Sequence, residues 1–174
     1  FQLCFKNLPF IPKMFSDTKA LTVFISKDLP VDLTPNGENW LIREYKKTDE
    51  LFIKELINPN SFLKAFPLKP EIINEDYPVW DGGSLSNELE DKILDLEKSG
   101  VIEDYYDIAE NQYGHKVGGY PSFCQPGIYF GDDFEFAFQI ASDEKANLNI
   151  INDGTIYLAK NTKSGEWKYY CDFY

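Results

Sequence analysis

The sequence predicts an α+β fold: two repeated, mainly antiparallel β-meander units, at residues 1–45 and 134–174, with helices between them. Three observations carry this. Segments at the two ends of the 174-residue chain echo each other at one spacing. The echoing segments place apolar residues at every second position, the period of a half-buried strand. The middle of the chain instead holds a stretch of helical period with start and stop signals at its ends. A chain of this length fits a single domain over 1–174.

The elements follow in order. "FQLCFKNL" (1–8) alternates like a strand and echoes "FEFAFQIA" (134–141). The chain opens directly in this pattern, with no initiator Met and no basic and apolar leader, which predicts a start short of the natural N-terminus. "LTVFISKD" (21–28) echoes "GTIYLAKN" (154–161) at the same spacing of 133 residues, with Thr22/Thr155 and Lys27/Lys160 identical. "NWLIREY" and "EWKYYCDFY" then align at Trp40 and Trp167, after six fewer loop residues in the second copy. In the last strand Trp167, Tyr169, Cys171 and Phe173 share one face, and Lys168, Tyr170 and Asp172 the other. Asn152-Asp153-Gly154 supplies turn chemistry for entering a strand.

Between the units, a helix is expected over 48–57, stopped by "NPN". Residues 65–83, with Pro67, Pro70, Pro78 and Gly82-Gly83, form an irregular connector. Phe66, Ile72, Ile73, Val79 and Trp80 make that connector too apolar for a free tether. Residues 86–98 form the clearest helix. Leu89, Ile93 and Leu96 share a face that should turn inward, Ser86 suits the N-cap, Glu88 and Lys92 pair at i,i+4, and Gly100 suits C′. A further short helix is expected over 103–112.

A net charge of −12 excludes the clustered Lys and Arg that a phosphate backbone selects, so nucleic acid is not expected as a ligand. A basic protein surface is the better electrostatic match. Three groups of carboxylates stand out: Glu71, Glu75 and Asp76; Glu88, Glu90 and Asp91; Asp132, Asp133 and Glu135. The outer face of the 86–98 helix, with Glu88, Asp91 and Asp95, is the expected contact surface. No apolar run approaches a membrane span, so no membrane partner is expected. Three scattered cysteines, Cys4, Cys124 and Cys171, lack the spacing of a disulfide framework or a zinc site and read as reduced thiols of a cytoplasmic protein.

No phosphate loop, nucleophile elbow, zinc-protease motif or EF-hand occurs, so no catalytic residue, metal or cofactor is assigned. The acidic turn 131–136 lacks the spacing of a calcium loop. "HKVGGYPSFCQPG" (115–127) gathers the only histidine with a glycine pair, an aromatic–proline step and a cysteine. A His115–Cys124 nucleophile pair is conceivable, yet Cys124 lies in an acidic chain that disfavours a thiolate. The segment reads better as a shaped corner with a binding role. His115 fixes backbone through its ring nitrogens, Gly118 and Gly119 take a path barred to other residues, Tyr120-Pro121 forces a turn, and Gln125 ties loop backbone.

"HKVGGYPSFCQ", followed by "FEFAFQIASD" and "DGTIYLAKN", resembles the YwqG-like family of bacterial domains. His115, Lys116, Gly118, Gly119, Pro121 and Gln125 match its central signature, and Gln139, Gly154 and Tyr157 match its following strands. The "LTVF" and tryptophan strands of the first half are similar to the family as well. The resemblance implies an α+β fold with two β-rich repeats and no established catalysis. It also implies an immunity or interaction role beside bacterial toxin systems, and the acidic charge makes a basic toxin the expected partner. The alternative is a small enzyme or ligand-binding protein using the cleft between the repeats, with His115 as acid/base and the Gly118–Gly119 amides as donors; Lys116 is counted among the corner's binding residues.

Overall fold

The computed structural model describes residues 1–30, 32–52, 58–82 and 84–174. It is a mixed α+β fold, mostly β, with two antiparallel sheets and one α-helix among the described residues. The first sheet has the order β1 (Gln2–Cys4), β2 (Thr18–Ile25), β3 (Trp40–Lys46). The second runs β4 (Lys116–Val117), β5 (Phe134–Ala141), β6 (Thr155–Asn161), β7 (Trp167–Asp172). Helix α1 spans Asn87–Lys98. No helix among the described residues is long and apolar enough to cross a membrane.

The two sheets share one core. Leu21, Val23, Trp40 and Ile42 from the first pack with Phe138, Ile140, Ile156, Leu158, Trp167 and Tyr169 from the second. Aromatic contacts span the seam: Trp40 against Tyr169 at 5.7 Å and Phe15 against Trp167 at 6.2 Å between ring centroids. Lys160 of β6 crosses it to pair with Glu44 of β3 at 2.8 Å, its ammonium 5.5 Å from the Trp167 ring. Strand β6 is apolar on both faces for a physical reason. Ile156 and Leu158 face the first sheet, while Tyr157 and Ala159 face Val79, Phe123 and Phe130 on the other side. A strand covered on both sides loses its polar alternation.

The β3 and β7 edges are covered by residues 32–36 rather than left as pairing templates. On β3, the Asn36 amide mimics a neighbouring strand: its Oδ1 accepts from Ile42 N–H at 2.9 Å and its Nδ2 donates to Ile42 C=O at 3.4 Å. On β7, Asp32 Oδ1 accepts from Cys171 N–H at 3.0 Å and Leu33 N–H donates to Tyr169 C=O at 2.9 Å.

Trp40 opens β3 and Trp167 opens β7, the last strand of each sheet, and both are buried. The registers differ, however. Trp40 pairs with Ile25, whose counterpart at the 133-residue spacing is Leu158, yet Trp167 pairs with Lys160. That two-residue slip preserves which face points inward. The first pairing departs further: Phe134 faces Asn161, whereas Phe1 exchanges backbone bonds with Val23.

Two helix expectations are corrected. Residues 48–52 form a turn and coil, not helix, and the remainder of the expected 48–57 helix lies outside the described residues. The 103–112 helix reduces to a 3-10 turn over Tyr105–Asp107. Asp104 accepts from Tyr106 N–H, and Asp107 accepts from Glu103 and Asp104 N–H, a capping box that starts the turn, which then ends as Ile108 leaves helical backbone at φ −120°. The connector buries Val79, yet Ile72 and Ile73 are exposed.

Helix α1 forms where its signals place it. Ser86 accepts from Leu89 N–H, Lys92 meets Glu88 at 2.7 Å, and Gly100 adopts φ 73°. Gly100 N–H reaches Glu97 C=O and Val101 N–H reaches Leu96 C=O, the paired closure of a Schellman stop. Its orientation differs from expectation. Ile93 is buried against Tyr105 and Ala109, but Leu89 and Leu96 are 45% and 37% exposed, while Glu90 and Glu97 are half-buried. Full burial of a leucine contributes about 1.5–3 kcal/mol, somewhat under half of which this orientation leaves unrealised.

Candidate functional site

The corner between β4 and β5 is assembled around three aspartates. The first is Asp76, from the connector. Its carboxylate accepts from Lys116 Nζ at 3.1 and 2.9 Å, from Gln112 N–H at 2.8 Å and from Tyr120 N–H at 2.8 Å. Both partners of the ion pair are largely buried, with side chains 13% and 11% exposed. Burial lowers the Lys116 ammonium from its ordinary value, against the pull of Asp76. One acidic side chain therefore ties both flanks of the loop, and Asp76 does not belong to the surface group with Glu71 and Glu75.

Lys116 and Val117 pair with Gln139 and Phe138, and Gly118 N–H extends the ladder to Ala137 C=O at 2.9 Å. Gly118 and Gly119 then take φ of 75° and 72°, turning the chain off the sheet. A Cβ on Gly119 would lie 2.1 Å from Asp76 Oδ2, so the second glycine is required twice over. Tyr120 is exposed, and its N–H is spent on Asp76.

The second aspartate is Asp143, just past β5. His115 Nδ1 accepts from Ala141 N–H at 3.2 Å, which leaves Nε2 to carry the proton and donate to Asp143 Oδ2 at 3.3 Å. Nδ1 thus fixes backbone, as read from sequence, while Nε2 is spent on the Asp143 carboxylate. The third is Asp172, 2% exposed at the end of β7. It accepts from Cys124 N–H at 3.0 Å, Gln125 N–H at 3.2 Å and the Tyr157 hydroxyl at 2.8 Å. Burial and the Asp172 charge push the Tyr157 phenol up, so it remains the donor. Gln125 also donates through Nε2 to Phe173 C=O at 3.0 Å. Buried Gln139 completes the corner, accepting from Ser122 N–H at 3.1 Å and donating to Gly114 C=O at 2.8 Å.

The structure brings His115, Lys116, Gly118, Gly119, Tyr120 and Gln125 into one corner, but turns most of their polar atoms inward. Glu88, Asp91 and Asp95 lie apart from it, exposed on α1. Sequence reasoning missed Asp76, Asp143 and Asp172. Asp76 is read among exposed carboxylates, and only its place before Tyr77-Pro78 hints at a turn back toward the sheet.

A cleft of about 530 Å³ lies beside the corner, lined in part by Tyr113, Ser122, Cys124, Asp143, Asp153 and Tyr174. His115, Gly118 and Gly119 are not among its lining residues. Among the described residues, no three His, Cys, Asp or Glu side chains gather to hold a metal ion. The cysteines are free. Burial, with the neighbouring Asp172 carboxylate, pushes the Cys124 thiol up to about 12, and burial pushes Cys171 up to about 11. A nucleophilic thiol needs the opposite shift. At pH 7–8, Cys124 should therefore resist iodoacetamide, with alkylation rising steeply only above pH 10. Stoichiometric labelling at neutral pH, read by mass spectrometry on the folded protein, would contradict this.

No protein-family model matches the chain, and no curated protein matches it.

Proposed function

We propose that the chain is a non-catalytic, cytoplasmic protein-binding domain of the YwqG-like kind, an immunity or interaction protein that neutralises a basic toxin. The observation that carries this reading is the distribution of charge. Of the net −12, residues 86–110 hold −7, with nine carboxylates against Lys92 and Lys98. Glu88, Asp91 and Asp95 are exposed on one helix of that stretch. The polar atoms of the 115–125 corner are largely committed to internal bonds, which favours a scaffold over a reaction centre. The echo between 1–45 and 134–174, with a buried tryptophan opening the last strand of each, supports two copies of one unit behind this scaffold. The second reading, a small-ligand protein, is favoured only by the 530 Å³ cleft.

Affinity selection with the intact chain, followed by kinetics with the purified partner, tests the proposal. Reversing Glu88, Asp91 and Asp95 to Lys should slow association about tenfold or more at low salt and little at high salt, because rim charges steer encounter. An association rate indifferent to both reversal and salt would sink the electrostatic reading.

A further inference from the structure

Helix α1 packs on the domain by one edge of its apolar stripe. At about 100° per residue, Leu89 and Leu96 lie roughly 50° to one side of Ile93, with Glu90 and Glu97 roughly 50° to the other. Glu90 and Glu97 on the other side are half-buried, whereas Leu89 and Leu96 leave 45% and 37% of their surface in solvent. Leu89 and Leu96 thus form an outward row two turns long, continued past the Schellman stop by Val101, which is 69% exposed. Next around the helix come Lys92, held by Glu88 at 2.7 Å, and then Glu88, Asp95 and Asp91. An apolar row therefore runs beside an acidic row on one exposed surface.

We propose that this surface docks a cationic amphipathic helix of the partner protein, whose apolar face covers Leu89, Leu96 and Val101 while its Lys and Arg side chains meet Glu88, Asp91 and Asp95. This deepens the protein-binding reading and rests on it. The two rows run parallel along one helix, and that is the pattern of a helix laid against a surface with anchors one or two turns apart. The charge selects the occupant. A second copy would bring the same −7 stretch against itself, and an anionic bilayer would repel it. Acidity alone would attract any basic segment, whereas the leucine row distinguishes one that gathers its apolar residues on a single face.

The test titrates the isotopically labelled intact chain with a synthetic leucine–lysine peptide patterned as an amphipathic helix, and with a scrambled peptide of equal composition. At physiological salt the patterned peptide should shift amide resonances over 86–101 and bind at least about tenfold more tightly than the scrambled one. Leu89→Ala with Leu96→Ala should weaken it about tenfold, the usual scale for losing interface anchors. Asp132→Asn with Asp133→Asn, at the acidic turn before β5, should change it less than about twofold. Both leucines are partly exposed, so the variant should still fold with a modestly lowered melting temperature, and the wild-type titration stands independently of it. Equal binding of the two peptides, shifts spread over the acidic turn, or indifference to the leucine pair would overturn the proposal. With the captured partner, the two readings separate. If Lys reversal slows association but the leucine pair leaves residence time unchanged, helix docking fails and the electrostatic reading survives.

Discussion

Replacing Gly119 by valine should destabilise the domain by about 3–5 kcal/mol, whereas Gly118→Ala should cost about 1 kcal/mol. Both glycines sit at positive φ, 75° and 72°, so backbone strain alone would make them similar. The surroundings separate them. A Cβ at Gly118 meets only Pro12 Cγ at 3.4 Å, an ordinary contact, but at Gly119 it falls 2.1 Å from Asp76 Oδ2. The carboxylate must then leave, abandoning Lys116 and the Gln112 and Tyr120 amides together. For a domain of this size, the Gly119 variant should melt roughly 10–15 °C lower. Equal melting temperatures for the two variants would show that the loop does not depend on the Asp76 contact.

Asp76→Ala should cost a similar amount, about 3–5 kcal/mol, because it strands a buried ammonium. The informative comparison is the double variant Asp76→Ala/Lys116→Met. Removing the stranded charge should recover part of the loss, leaving mainly the part-buried Gln112 amide unpaired at a cost of about 1–3 kcal/mol, while the exposed Tyr120 amide turns to water. Chemical denaturation of the two variants supplies the answer. A double variant less stable than Asp76→Ala would mean that Lys116 contributes through its packed stem rather than through the ion pair.

The strands, α1 and its caps were legible because each rests on short-range patterning. Two-residue alternation marked β5, β6 and β7, and Ser86 and Gly100 bracketed α1. The expected helix over 103–112 stopped after one turn although Asp104 and Asp107 cap its start, because a cap satisfies the first donors without making the later turns favourable. The glycine pair was legible as a backbone necessity, since a two-residue run before Tyr-Pro demands unusual φ. Its chemical partner was not, because Asp76 lies 43 residues away in sequence from Gly119. Likewise, His115 was expected to fix backbone, but Asp143 and Ala141 could not be named as its partners.

By itself, the sequence determined the fold class, the strand faces, the helix termini and a strongly acidic character concentrated in 86–110. Periodicity, capping and charge are all properties of neighbours along the chain. Only the tertiary structure decided the register within each sheet, the three aspartates that hold the corner, and the rotation that leaves Leu89 and Leu96 partly in solvent while Glu90 and Glu97 are half-buried. Helical period defines an apolar stripe on α1, but which edge of that stripe is covered depends on where Tyr105 and Ala109 stand. That position is set by contacts such as Tyr105 Oη to Pro78 C=O, at 2.9 Å in space and 27 residues apart in sequence.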